Sequence, residues 1–134
     1  MKKKNIFLLL ISSTLLFEAC DPGLTGDAKV FNDSKTTLTI RYLQYDSKTG
    51  KADTVSKDVA SGDKLVIQVF GGLGDNSKYN CCPYSRVVSI KSASGPIKKQ
   101  SLDCNSWSIP NKSKLKRFGK EPIKCEFHIT QADI

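Results

Sequence analysis

Residues Thr37 to Tyr45 read TLTIRYLQY. Leu38, Ile40 and Tyr42 fall on one side of an extended chain, and Thr39, Arg41 and Leu43 on the other. Alternation with period two, in a run rich in β-branched and aromatic residues, marks a half-buried strand. Upstream, Ala28 to Phe31 is a short strand, and Asn32-Asp33-Ser34-Lys35 supplies turn residues. Downstream, Asp46-Ser47-Lys48-Thr49-Gly50 is another turn and Ala52 to Val59 a polar edge strand. Ser61-Gly62-Asp63 breaks it, and Leu65 to Phe70 is the most apolar strand. Gly71 to Ser77 is a glycine-rich loop, Arg86 to Ile90 a strand, and Ser94-Gly95-Pro96 a stop. Ile97 to Leu102 and Lys114 to Phe118 are weaker strand candidates. Cys125 to Thr130 closes the chain, with Cys125, Phe127 and Ile129 inward and Glu126, His128 and Thr130 outward. No apolar stretch keeps a 3.6-residue period for more than two turns. The expected fold is all-β: an immunoglobulin-like sandwich of seven to nine short antiparallel strands, residues 28–134.

The 134 residues are 39% hydrophobic, 25% charged and 8% aromatic. That is a globular composition at the length of one domain. It excludes a multidomain enzyme, a coiled coil and a collagen-like rod, and it argues against wholesale disorder.

The first residues are of another kind. Met1-Lys2-Lys3-Lys4 is basic, and Ile6 to Phe17 is apolar apart from Ser12, Ser13 and Thr14. This run is too short for a spanning helix, which needs roughly 20 apolar residues, and suits the apolar part of a secretory signal. Small Ala19 precedes Cys20. The arrangement resembles a bacterial lipoprotein signal peptide. Phe17 and Glu18 stand where the usual box has Leu and a small residue, which looks like the looser boxes of the Bacteroides group. The resemblance covers residues 1–20 and implies removal of 1–19, acylation of Cys20 and anchoring of its new amino terminus in a membrane. Residues 20–27 then read as a lipidated tether, with Pro22, Gly23 and Gly26 in linker composition. The envelope is the expected location, the outer membrane ahead of the inner.

With Cys20 acylated, Cys81, Cys82, Cys104 and Cys125 remain. An even number in an exported domain predicts two disulfides. Adjacent Cys81 and Cys82 point to opposite sides of an extended chain, so each is expected to pair with Cys104 or Cys125, the pairing left open. A directly adjacent pair and a lone His128 do not suit zinc, so no metal or cofactor is expected.

No catalytic set is visible. His128 is the single histidine, and Glu121 and Glu126 are the only glutamates after Glu18. Asp33, Asp46, Asp63 and Asp75 sit in turn sequence, which explains them without chemistry. Gly71-Gly72-Leu73-Gly74 lacks the Lys-Ser/Thr ending and the helix of a phosphate loop.

Charge is uneven. The net value is +8, and removing Lys2, Lys3, Lys4 and Glu18 takes it to +6. Residues 91–124 carry nine Lys or Arg against Asp103 and Glu121. On a strand Lys112, Lys114 and Lys116 share one face, and with Arg117 they are candidate contacts for an anionic ligand. Lysines protecting an edge strand from pairing are the structural explanation. Trp107, Tyr79 and Tyr84, near the cysteines, are candidate sugar-stacking residues, with packing against a disulfide as the alternative. Asp53-Thr54-Val55 resembles the Asp-Ser/Thr-aliphatic site that the Bacteroides group O-glycosylates. The expectation is a non-enzymatic envelope lipoprotein that binds a protein or glycan. Its rivals are a basic module for an acidic glycan, lipopolysaccharide or, less favoured, nucleic acid, and a small hydrolase built on paired carboxylates or His128.

Overall fold

The computed structural model describes residues 23–46, 48–81, 86–117 and 119–134. Cys20, Cys82, Tyr84 and the signal segment lie outside them. Among the described residues seven strands follow in order: β1 Gly23–Asn32, β2 Leu38–Tyr45, β3 Ala52–Val59, β4 Lys64–Leu73, β5 Val87–Ser92, β6 Gly95–Pro96 and β7 Ile123–Ile129. Short 3-10 turns are the only helical pieces among the described residues, and none is long and apolar enough to cross a membrane.

The strands form two sheets, ordered β4-β1-β7 and β3-β2-β5-β6. Both close on one apolar core in a sandwich-like arrangement. Leu38, Ile40 and Tyr42 of β2 enter it, as do Ile123, Cys125, Phe127 and Ile129 of β7 and Ala28 and Val30 of β1. Each fully buried aliphatic or aromatic side chain stabilises by about 1.5–3 kcal/mol. The alternation read in TLTIRYLQY therefore sets which face of β2 is wet. β3 lies at a sheet edge and is polar and exposed along most of its length, as its sequence indicates.

Four expectations need correction. First, β1 starts at Gly23, not Ala28, so Gly23 to Asp27 of the expected tether pair with Leu73 back to Val69. Gly26 explains why: a Cβ there would lie 2.5 Å from the Ile123 carbonyl oxygen and 2.6 Å from the Phe70 ring. This glycine serves close packing rather than chain freedom. Second, β4 runs on through Gly71, Gly72 and Leu73, which read as loop because they lack apolar alternation; the ladder to β1 holds them. Third, the strands are not all antiparallel, because β1 and β7 run parallel from Gly26↔Ile123 to Asn32↔Ile129. Such a pair requires a long crossover, which here includes the whole second sheet. Fourth, Ile97 to Leu102 and the described part of Lys114 to Phe118 form no strand. Lys112–Lys114 is one 3-10 turn, so Lys112, Lys114 and Lys116 do not share a strand face and protect no edge.

Two bulges shape the sheets. Ala28 pairs with Gln68 and Lys29 with Val66, leaving Ile67 as an extra residue of β4. Ile67 and Gln68 are thereby both buried. At the sheet corner Asn32, 0% exposed, joins two loops. Its Nδ2 donates to the carbonyls of Thr36 and Val59 (both 2.8 Å), and its Oδ1 accepts from Ser34 N (3.1 Å) and Oγ (2.6 Å).

Candidate functional site

Three loops are tied to β7 and to the residues just before it. In the first, Asp75 Oδ1 accepts from Ser77 N (2.9 Å) and Oγ (2.6 Å) and caps the 3-10 turn Asn76–Lys78. The Ser77 hydroxyl is the main reason the Asp75 carboxyl sits below its ordinary pKa, with the Lys78 and Arg117 charges adding to it. Buried Asn76 donates to the Glu121 carbonyl (3.1 Å), and Cys81 is bonded to Cys125. In the second, Asp103 caps Cys104–Ser106 by accepting from Asn105 N (3.0 Å). Cys104 is also in a disulfide, and Ser108 pairs with Glu126 through two 2.9 Å backbone bonds. In the third, Asn111 donates to the Pro122 carbonyl (2.8 Å) and accepts from Lys124 N (3.3 Å).

Between these loops lies a cleft of about 530 Å³. Lys78, Asn80, Asn105 and Lys112 give it a polar, cationic lining, and Tyr79, Cys81, Trp107 and Ile109 supply the more buried side. No carboxylate is among its described lining residues. Neither ammonium has a carboxylate within 4.0 Å among the described residues. The volume lies in the range of small-ligand sites.

The sequence candidates separate here. Cys81–Cys125 is a disulfide, in agreement with the expected pattern, with a Cα separation of 5.7 Å. Of the basic candidates, Lys112 lines the cleft, whereas Lys114, Lys116 and Arg117 do not. Tyr79 and Trp107 reach it but are not stacking platforms, each being 8% exposed. The Tyr79 ring lies on Phe70 (5.0 Å, 10°). Trp107 tilts against Phe127 (5.2 Å), and its Nε1 donates to the Ser101 carbonyl (2.7 Å). Burial of these faces corrects the sugar-stacking expectation for Tyr79 and Trp107, which pack on Phe70 and Phe127; Tyr84 lies outside the described residues. Lys78, Asn80 and Asn105 were not singled out. Their signal in the sequence is adjacency to cysteines in Lys78-Tyr79-Asn80-Cys81 and Cys104-Asn105.

Two other places hold chemistry-bearing groups. His128 lies on the outer face of the β4-β1-β7 sheet, stacked on Phe31 (4.5 Å, 7°). Its Nδ1 is 2.6 Å from Asp33 Oδ2 and its Nε2 is 3.1 Å from Glu126 Oε2. Burial of the ring pulls the imidazole pKa down, and the hydrogen bonds and charges of the two carboxylates more than offset that, leaving it above the ordinary 6.5. Its ring partners are carboxylates, with no hydroxyl or thiol among them in the described residues. A second cleft, about 250 Å³, is lined by Gln44, Tyr45, Asp46, Asp53 and Val55. Tyr45 is 50% exposed, and Arg86 lies 4.1 Å from its ring centre. Asp46 holds its turn together, accepting from Lys48 N (2.8 Å) and Thr49 Oγ1 (2.9 Å). Among the described residues no cluster of three or more His, Cys, Asp or Glu is placed to hold a metal ion.

No protein-family model, curated protein or solved structure matches the chain.

Proposed function

We propose that the chain is a non-enzymatic, lipid-anchored envelope protein that binds a glycan or a protein through the cleft between its cross-linked loops. Cys20 is acylated after removal of residues 1–19, which places the sandwich close to its membrane, the outer ahead of the inner. With Gly23 to Asp27 drawn into β1, the tether shortens to Cys20, Asp21 and Pro22. The immunoglobulin-like comparison extends to the layering of two sheets over one core. The orders β4-β1-β7 and β3-β2-β5-β6 depart from the ABED and CFG connectivity of immunoglobulin domains.

The observation that carries the reading is the cleft itself. Three loops, with no strand pairing among their described residues, are each fixed to β7 or to the residues just before it by a disulfide, a backbone bridge or a buried amide. Rigid loops that hold a polar hollow open are the arrangement of a recognition surface, since ordering costs are met before a ligand arrives. The test has two parts. Intact mass of the natively produced chain should show loss of 1–19 and addition of fatty chains. The full chain, immobilised, should retain envelope glycans or proteins, and Lys78→Glu with Lys112→Glu should abolish that retention. An unlipidated product, or retention indifferent to both reversals, refutes the proposal.

A basic module for an anionic polymer is the second reading, favoured by two ammonium groups that have no carboxylate within 4.0 Å among the described residues. It differs in extending to Lys114, Lys116 and Arg117 and in losing heparin retention steeply with salt.

A further inference from the structure

We infer that the cleft takes a carboxylate-bearing sugar unit of an acidic glycan, an assignment that rests on the binding-module reading above. Lys78 and Lys112 come from loops far apart in sequence and meet on one hollow. An ammonium acts as a strongly hydrated point charge, suited to a carboxylate without demanding bidentate geometry. No arginine lines the described cleft, so a planar fork for such a group is not provided there. Asn80 adds to the polar lining, and the Asn105 amide can both donate and accept. That capacity suits ring hydroxyls, which need both senses of hydrogen bond.

The volume of about 530 Å³ exceeds what a lone inorganic ion fills and suits a short saccharide segment. Single-stranded nucleic acid, the other anionic candidate, is bound by stacking bases on exposed aromatic faces. Here Tyr79 and Trp107 turn those faces to Phe70 and Phe127 and leave no platform among the described lining residues. Cys81 and Cys104, both disulfide-bonded, stand in the wall and lie between Lys78 and Lys112 in sequence.

The experiment is a binding titration of the full chain in detergent, using fluorescein-labelled oligogalacturonate. Its methyl ester, inorganic phosphate and oligo-dT serve as competitors. Saturable binding to oligogalacturonate is expected, with competition by the ester at least about tenfold weaker. Lys78→Gln and Lys112→Gln should each weaken binding about tenfold, the loss of one charge-assisted hydrogen bond. Lys116→Gln, outside the cleft, should change it less than about twofold. All three positions are exposed, and a thermal melt checks that the variants fold. Equal competition by phosphate or oligo-dT overturns the sugar assignment, and equal loss in Lys116→Gln overturns the cleft as the site. Absence of oligogalacturonate binding, with envelope retention still abolished by the Lys78 and Lys112 reversals, ends this inference and leaves the binding module standing. Absence of both ends both.

Discussion

Removing the Cys81–Cys125 bond by the double substitution Cys81→Ala and Cys125→Ala should cost the domain about 4 kcal/mol. The bond spans 44 residues of sequence. Loop-closure entropy for a ring of that length, about 2.1 plus 1.5R times ln n in cal/mol/K, comes to roughly 13 cal/mol/K, or about 4 kcal/mol at 25 °C. Alanine is chosen because Cys125 is fully buried beside Phe127 and Ile123, where a serine hydroxyl would find no partner. The figure is large against the roughly 5–15 kcal/mol total of a small domain. The assay is equilibrium unfolding in urea, followed by fluorescence of Trp107, the single tryptophan, which is buried against Phe127 of β7. With an m-value near 1.5 kcal/mol/M the midpoint should fall by roughly 2.5 M. A shift below about 0.5 M would refute the reasoning. It would mean that the unfolded chain without the bond retains structure that already holds this loop together, so that the covalent tie adds little.

Gly26→Ala should destabilise by about 1–3 kcal/mol through overpacking against Ile123 and Phe70, whereas Gly23→Ala, with open space around it, should be near neutral; matched thermal melts decide. Asn32→Ala should cost about 2–4 kcal/mol in urea unfolding, since it strips buried partners from Ser34, Thr36 and Val59; a loss under about 0.5 kcal/mol would show that water replaces the amide. His128 has a folded-state pKa above its unfolded value, so its contribution to stability is full below about pH 6.5 and is lost as pH rises through the folded value. The urea midpoint should therefore decline over that window in the native chain and stay flat there in His128→Gln, and an unchanged slope in the variant would remove His128 as the cause.

Local sequence carried far in β2 and β7 and much less in the strands around them. In β2 and β7 the alternation of apolar and polar residues is regular, and one face of each lies on the core as read. β1 and β4 read shorter in sequence than they are, because Gly23 to Asp27 and Gly71 to Leu73 carry no apolar rhythm; hydrogen bonding to each other defines them as strands. Lys112, Lys114 and Lys116 alternate like a strand yet begin in a 3-10 turn, because the Asn111 side chain, not a backbone ladder, ties that segment to Pro122 and to Lys124 of β7.

What the sequence determined by itself was the β class, the inward faces of its regular strands and the presence of cross-links, all of them properties of period and composition. The tertiary structure alone decided that β1 lies parallel to β7, that Cys81 bonds Cys125, and that Lys78, Asn105 and Lys112 border one hollow. The physical reason is range. Pattern reports how a residue meets its own strand, whereas a cleft is made by loops whose mutual distance depends on every strand between them.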